Sequence, residues 1–379
     1  MRAWLATAPI WAAPVLAALV LLGSPAAHAL DQFTVGEWQG AARYDESGSF
    51  VRCSMTTEFL TGEFVTFSNA ADGSLVISVT DKHASLKMGQ AVSAEIVVGN
   101  YPPLPALITN YDANTAGMTF TNPGPIYQRL RVGQRVAINP AAGASMVYPL
   151  NQVNRGLQRL LACTMREMGF ANYGSQAVGD PFGAGIPAPA DTGTQAIGHG
   201  PSSTAQFRPL DAAKLKGLAV ALLSKAGVSQ ARMLPDEERQ KLAPGFPLFW
   251  LDSDRSGGGL VEYELTEHHA PMPSLVSMTG TLTLFNDAAS CRGIFDSQVE
   301  DLTAKAGFPA RRVHTVCRRV NPKNAYVADY MILAPDEGRL LKLAVAAKGL
   351  EQTQTDAEVP HSDTLLAAAI DALKGTASP

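Results

Sequence analysis

Two-residue alternation of apolar side chains, turn residues at short intervals and one sharp break in composition predict a β-sandwich or barrel followed by an α+β domain with an antiparallel sheet. Val92, Ala94, Ile96 and Val98 point to one face of a strand while Ser93 and Glu95 point to the other, and Leu75, Ile77 and Val79 repeat the pattern. Asp72-Gly73, Met88-Gly89 and Val132-Gly133 supply the turns. The break comes at residues 170–206, rich in Gly, Pro, Ser, Thr and Ala, a composition that cannot bury enough apolar surface to order itself and reads as a linker.

Residues 1–29 read as a secretory signal. Arg2 precedes an apolar core at residues 15–23, too short to span a bilayer, and Pro25-Ala26-Ala27-His28-Ala29 supplies small residues for cleavage. A periplasmic or secreted protein follows, with no membrane span once the signal is removed. The formal net charge of −4 becomes one unit more negative when Arg2 leaves, which argues against nucleic acid as a partner.

In the first domain, residues 30–169, the strands give way near the end to a helix that Asn151 is placed to cap, with Leu157, Leu160, Leu161 and Met165 on one buried face. An internal repeat runs through the domain. Leu86-Lys87-Met88-Gly89-Gln90-Ala91-Val92 returns as Leu130-Arg131-Val132-Gly133-Gln134-Arg135-Val136, and Gly73 matches Gly117 at the same offset. Two related hairpins, each a strand, a glycine-led turn and a second strand, are expected.

Trp38-Gln39-Gly40, Phe50-Val51-Arg52-Cys53, the two Leu-x-x-Gly-Gln turns and a closing helix bearing Cys163 together resemble the invasion-associated locus B family of exported proteobacterial β-domains. The resemblance covers residues 33–165. It implies a periplasmic β-sandwich with an envelope or host-interaction role and supplies no catalytic residues. The second domain has no such counterpart.

That second domain, residues 207–379, opens with a helical stripe of Leu215, Leu218, Ala219 and Leu222, then a short helix from Pro235. Segments 246–251, 259–266, 279–285, 311–320, 326–333 and 339–346 have strand length, and Pro335-Asp336-Glu337-Gly338 turns between the last two. Ser362 caps a final helix ending near Gly375. An antiparallel sheet covered by helices on one face is expected.

Four cysteines, Cys53, Cys163, Cys291 and Cys317, make an even count for an oxidising compartment and allow three pairings. Pairing Cys53 with Cys163 and Cys291 with Cys317 keeps each bridge inside one domain.

Candidate sites are few. Asp252, Asp254 and Ser256 place oxygens at alternate positions before Gly257, as a calcium loop requires, yet the twelfth position is Tyr263 rather than a bidentate Glu, so the stretch reads as a polar hairpin loop with calcium binding as the alternative. No other cofactor is implied. Glu262 and Glu264 share a strand face about 7 Å apart, near the separation of paired-carboxylate glycosidases, and this short segment loosely resembles the E-x-D-x-x-E strand of laminarinase-type hydrolases. His268 and His269 point to opposite faces of a strand and cannot easily share a metal. Arg312, His314 and Arg318 alternate onto one face as an anion-binding candidate, and Arg129, Arg131 and Arg135 form a second basic group. Asp191-Thr192-Gly193 matches the aspartic-protease triplet by chance, inside the linker. Neither a nucleophile elbow nor a phosphate-cradling glycine loop is present. The sequence therefore points to an exported, non-catalytic protein that binds an envelope or host macromolecule, with an anionic partner favoured. A periplasmic carbohydrate-active hydrolase using Glu262 and Glu264 is the alternative.

Overall fold

The computed structural model describes residues 32–141, 143–170, 212–242, 246–253, 255–264, 270–318, 325–336, 338–348 and 359–374. The signal and linker expected at 1–29 and 170–206 fall outside them, apart from Phe170. The first half is a ten-stranded antiparallel sheet. Its strands are β1 (Gln32–Val35), β2 (Trp38–Tyr44), β3 (Phe50–Glu58), β4 (Phe64–Ala70), β5 (Leu75–Thr80), β6 (Ala91–Val98), β7 (Leu104–Asn110), β8 (Thr115–Phe120), β9 (Arg135–Pro140) and β10 (Met146–Pro149). They lie in the order β1-β2-β3-β4-β5-β8-β7-β6-β9-β10.

Alternation explains why this sheet has one dry face. The register aligns Gly40, Met55, Phe67, Ile77, Met118, Ile108 and Val92 as a single inward row from β2 to β6. Outward residues of the same strands are hydroxylic, and Ser54 pairs with Ser68 at 2.9 Å and Thr56 with Thr66 at 2.8 Å. The sheet rolls until its ends approach. Trp38 Nε1 donates to the carbonyl of Asn151, just past β10, at 2.8 Å, and the rings of Phe59 and Tyr148 lie 5.0 Å apart. β1 and β10 do not pair, so the roll stays open.

Two helices belong to this half, α1 (Gly124–Val132) and α2 (Val153–Glu167). α2 buries Leu157, Leu160, Leu161 and Met165 against β1 to β4, and a disulfide from Cys163 to Cys53 on β3 fixes it there. Its cap differs from expectation: Gln152, at φ 57°, precedes the helix without a side-chain bond, and Asn151 is occupied through its carbonyl. The repeat also differs, because Leu86 to Gln90 is a loop whereas Leu130 to Val132 is the last turn of α1. Shared sequence there reflects a shared glycine exit into β6 and β9, which pair with each other.

The second half is a seven-stranded antiparallel sheet, β11 (Arg232–Met233), β12 (Leu248–Leu251), β13 (Ser256–Glu264), β14 (Ile294–Asp301), β15 (Ala310–Arg318), β16 (Tyr326–Asp336) and β17 (Arg339–Lys348), ordered β11-β12-β13-β17-β16-β15-β14. Its helices are α3 (Ala212–Lys225), α4 (Asp236–Leu242), α5 (Met272–Ser290), α6 (Thr303–Ala306) and α7 (Ser362–Lys374). Helices cover both faces rather than one. Val327, Met331 and Leu333 of β16 join the core under α3 and α7, while Ala328, Tyr330 and Ile332 face α5.

Residues 279–285, expected as a strand, lie within α5. Alternating Thr279, Thr281 and Thr283 imitate a strand, but in α5 Thr279 donates to the Leu275 carbonyl and Thr283 to the Thr279 carbonyl, each at 2.8 Å. A helix buried on nearly every side has no apolar stripe to betray it. α5 packs on β15 and β16 and also meets the first sheet, where Thr281 donates to the Gly73 carbonyl at 2.7 Å. A disulfide joins Cys291, just after α5, to Cys317 on β15.

Candidate functional site

The roll is not filled along its whole length. Beyond α2 the inward faces of β5 to β10 surround a cavity of about 310 Å³, within the range of small-ligand sites. Ile77, Val79, Ile108, Met118, Ile138 and Met146 form its apolar wall. Ile77, Met118 and Ile138 are buried, whereas Val79, Ile108 and Met146 are only half-buried because their free sides face the void. Closed barrels of about eight strands either fill with side chains or hold one small molecule; this open ten-stranded roll is filled at the α2 end and leaves a cavity at the other.

The polar lining is carboxylate and carboxamide: Glu63, Asp81, Gln90, Asn110 and Asn114. Two of these build the mouth. Asn114 Nδ2 donates to the carbonyls of Asp81 and Ala84 at 3.2 and 3.0 Å, and Asn110 Nδ2 to that of Lys87 at 3.1 Å, so the loop from β5 to β6 is tied back to β7 and β8. Glu63 and Asp81 are partners in space. Phe64 pairs with Thr80 at the end of the β4–β5 ladder, and one step farther Glu63 stands opposite Asp81 on the inward face. The Tyr148 hydroxyl is buried nearby, and burial, reinforced by the charge and hydrogen bonding of Glu63 and the charge of Asp81, holds its phenol above the usual value.

The residues singled out by sequence lie elsewhere. Asp252 Oδ2 is 3.2 Å from His361 Nε2, and the Ser256 hydroxyl is 3.0 Å from that of Ser253, in a hairpin between β12 and β13. Asp254, His268, His269 and the Asp191 triplet fall outside the described residues, as does the side chain of Glu264. Glu262 accepts an ion pair from Arg339 at 3.3 Å.

Arg312 and His314 do share a face, but around an acid of their own chain. Arg312 grips the buried Asp329 through Nε at 3.1 Å and Nη2 at 2.8 Å, and reaches Asp363 on α7 at 2.8 Å. His314 Nδ1 lies 2.9 Å from the same Asp329. Arg318 is 3.6 Å from Asp296. Arg129 and Arg131 sit on α1 rather than a hairpin, and Arg131 donates to the Ala288 carbonyl of α5 at 2.9 Å. All four cysteines are bonded, Cys53 to Cys163 and Cys291 to Cys317.

Sequence reasoning passed over the cavity although one signal was available. A hairpin turning at Asp72-Gly73 sets Glu63 opposite Asp81 by counting alone.

Among solved structures the chain is similar to a protein that carries the name of the family read from its first domain. It is the invasion associated protein b from Bartonella henselae, 17% identical over a match that covers 35% of this chain and 96% of that one, with a TM-score of 0.26. No family model and no curated protein matches the chain. Among the described residues no helix is long and apolar enough to cross a membrane.

Proposed function

We propose that this is an exported, non-catalytic binding protein whose rolled sheet holds a small apolar or amphipathic molecule at the cell envelope or a host surface. The observation that carries this reading is the 310 Å³ cavity with an apolar wall and a loop tied across its mouth by Asn110 and Asn114. Its wall of Ile77, Val79, Ile108, Met118, Ile138 and Met146 presents apolar surface rather than a nucleophile, which fits binding better than turnover. The signal pattern and two disulfides that use every cysteine support an oxidising compartment.

The test is uptake of N-phenyl-1-naphthylamine, whose emission rises in apolar surroundings. Wild-type protein should enhance it saturably, and Ala116→Phe, which fills the void from a small wall residue, should abolish the enhancement while melting stays within a few degrees. If Ala116→Phe misfolds, Ala116→Leu gives the graded version. Equal enhancement by wild type and a folded filler would sink the reading.

A further inference from the structure

Resting on that reading, we propose that the ligand carries a cationic nitrogen, seated between Glu63 and Asp81, on the apolar body that the wall of Ile77, Ile108 and Met118 receives. Glu63 and Asp81 form an arrangement that folding alone disfavours. Like charges set directly opposite on adjacent strands repel, and sheets usually place opposite charges or neutral side chains there. Here both carboxylates stand on the inward face, one step past the β4–β5 ladder, where the roll ends and the cavity opens.

Nothing in the described chain neutralises them. Glu63 accepts from the Thr61 hydroxyl at 3.1 Å, and Asp81 from the His83 backbone N–H at 2.8 Å, but among the described residues neither is ion-paired. The nearest lysine in sequence, Lys82, is turned away to Glu58 at 3.9 Å and lies over the Phe64 ring on the outward side. The Tyr148 hydroxyl, buried beside Glu63, adds a polar atom there but no charge to offset the two acids.

A protonated amine answers each of these features at once. Its charge relieves the repulsion between Glu63 and Asp81, its N–H groups satisfy carboxylate lone pairs, and its hydrocarbon chain fills the dry wall behind them. A carboxylate or phosphate headgroup would instead meet two like charges. A primary, secondary or quaternary alkylammonium is thus the chemical class that the site selects.

Calorimetric titration of the mature protein with octylamine, 1-octanol and octanoate at pH 7 and low salt tests this, since the three share one chain and differ in charge. Octylamine should bind at least tenfold tighter than 1-octanol, with octanoate weakest. In the double variant Glu63→Gln, Asp81→Asn, octylamine and 1-octanol should bind alike, and the unliganded variant should melt higher than wild type because the repulsion is gone. If 1-octanol or octanoate matches octylamine in wild type, the cationic assignment falls while the cavity reading stands. If none of the three binds and naphthylamine uptake is also absent, the cavity reading falls and takes the assignment with it.

Discussion

Replacing Asp329 by Asn tests the clasp that holds α7 to the second sheet. Asp329 is fully buried on β16, and burial alone would raise its pKa, but hydrogen bonds from His314, Arg312 and Ser362 outweigh that and bring it to about 2 from an ordinary 3.8. A carboxyl whose folded-state pKa is depressed stabilises the fold above its unfolded pKa, and that stability is lost as pH falls toward the folded value. The shift corresponds to about 2 kcal/mol at pH 7, which shrinks to about 1 kcal/mol at pH 3 and to about 0.4 kcal/mol at pH 2, vanishing only below that. Asn cannot carry the charge, and it leaves Arg312 facing a neutral amide in a half-buried site, so the variant should lose at least that amount at neutral pH. Urea unfolding at pH 7, 4 and 3 measures it, followed by tryptophan emission. Trp38 and Trp250 lie one in each sheet, and Trp250 belongs to the core beneath α3 and α7. The gap between wild type and variant must narrow with acid. A constant gap, or an unchanged midpoint at pH 7, would refute the assignment of the acid sensitivity to Asp329.

Three other substitutions probe separate parts of the fold. Lys342 on β17 is buried beside the Phe246 ring, its Nζ 5.0 Å from the centroid, and burial lowers its pKa to about 8 despite the Asp287 charge; the unfolded chain therefore binds more protons between about pH 8 and 10.5, stability rises with pH there, and Lys342→Met should remove that rise, worth on the order of 3 kcal/mol, in chemical denaturation curves. At Gly73, where φ is +82°, an added Cβ would sit 2.3 Å from Thr281 Oγ1 and 2.9 Å from the Ser277 carbonyl, so Gly73→Ala should lower the melting point far more than Gly62→Ala, where φ is +86° and the space is open. Removing the Cys53–Cys163 bridge by double serine substitution should cost roughly 3 to 5 kcal/mol and loosen α2 first, read as faster amide exchange in residues 153–167.

What the sequence revealed follows the physics of each element. Strands with one wet face announce themselves, and β5 and β6 were legible from Leu75, Ile77 and Val79 and from Val92, Ala94, Ile96 and Val98 because Ser78 and Thr80, and Ser93 and Glu95, alternate with them. α5 was not, since Leu275, Met278, Leu282 and Phe285 are buried together with Thr279, Thr281 and Thr283, and no period survives when every side is covered. β16 conceals its second face for the same reason, with ten consecutive buried residues from Tyr326 to Pro335. The candidate arginines were visible as an alternating set, but an acid such as Asp329, a single charge in an apolar strand, gives no hint from sequence that it faces them. The cavity was least legible of all, because a void is a relation among distant strands, and only the count that sets Glu63 opposite Asp81 pointed to it.

Where the void lies follows from where the helix ends. α2 is pinned over β1 to β4 by the Cys53 bridge and by the Trp38 bond to Asn151, so its leucines fill the roll there, and the cavity opens beyond it between β5 and β10. Truncation on the two sides should therefore differ in cost. Leu157 is enclosed, at 1% exposure, and Leu157→Ala would open a new cavity in dense packing, a change that typically costs 2 to 5 kcal/mol. Ile108 already faces empty space on one side, so Ile108→Ala removes fewer contacts and should cost about half as much or less. The same Ile108→Ala enlarges the void and should loosen the grip on a naphthylamine probe, whereas Leu157→Ala should leave that grip unchanged at temperatures where the protein is folded. Equal stability losses at the two positions would mean that the wall of Ile108 is packed like a core, and the roll would then have no vacancy for a ligand.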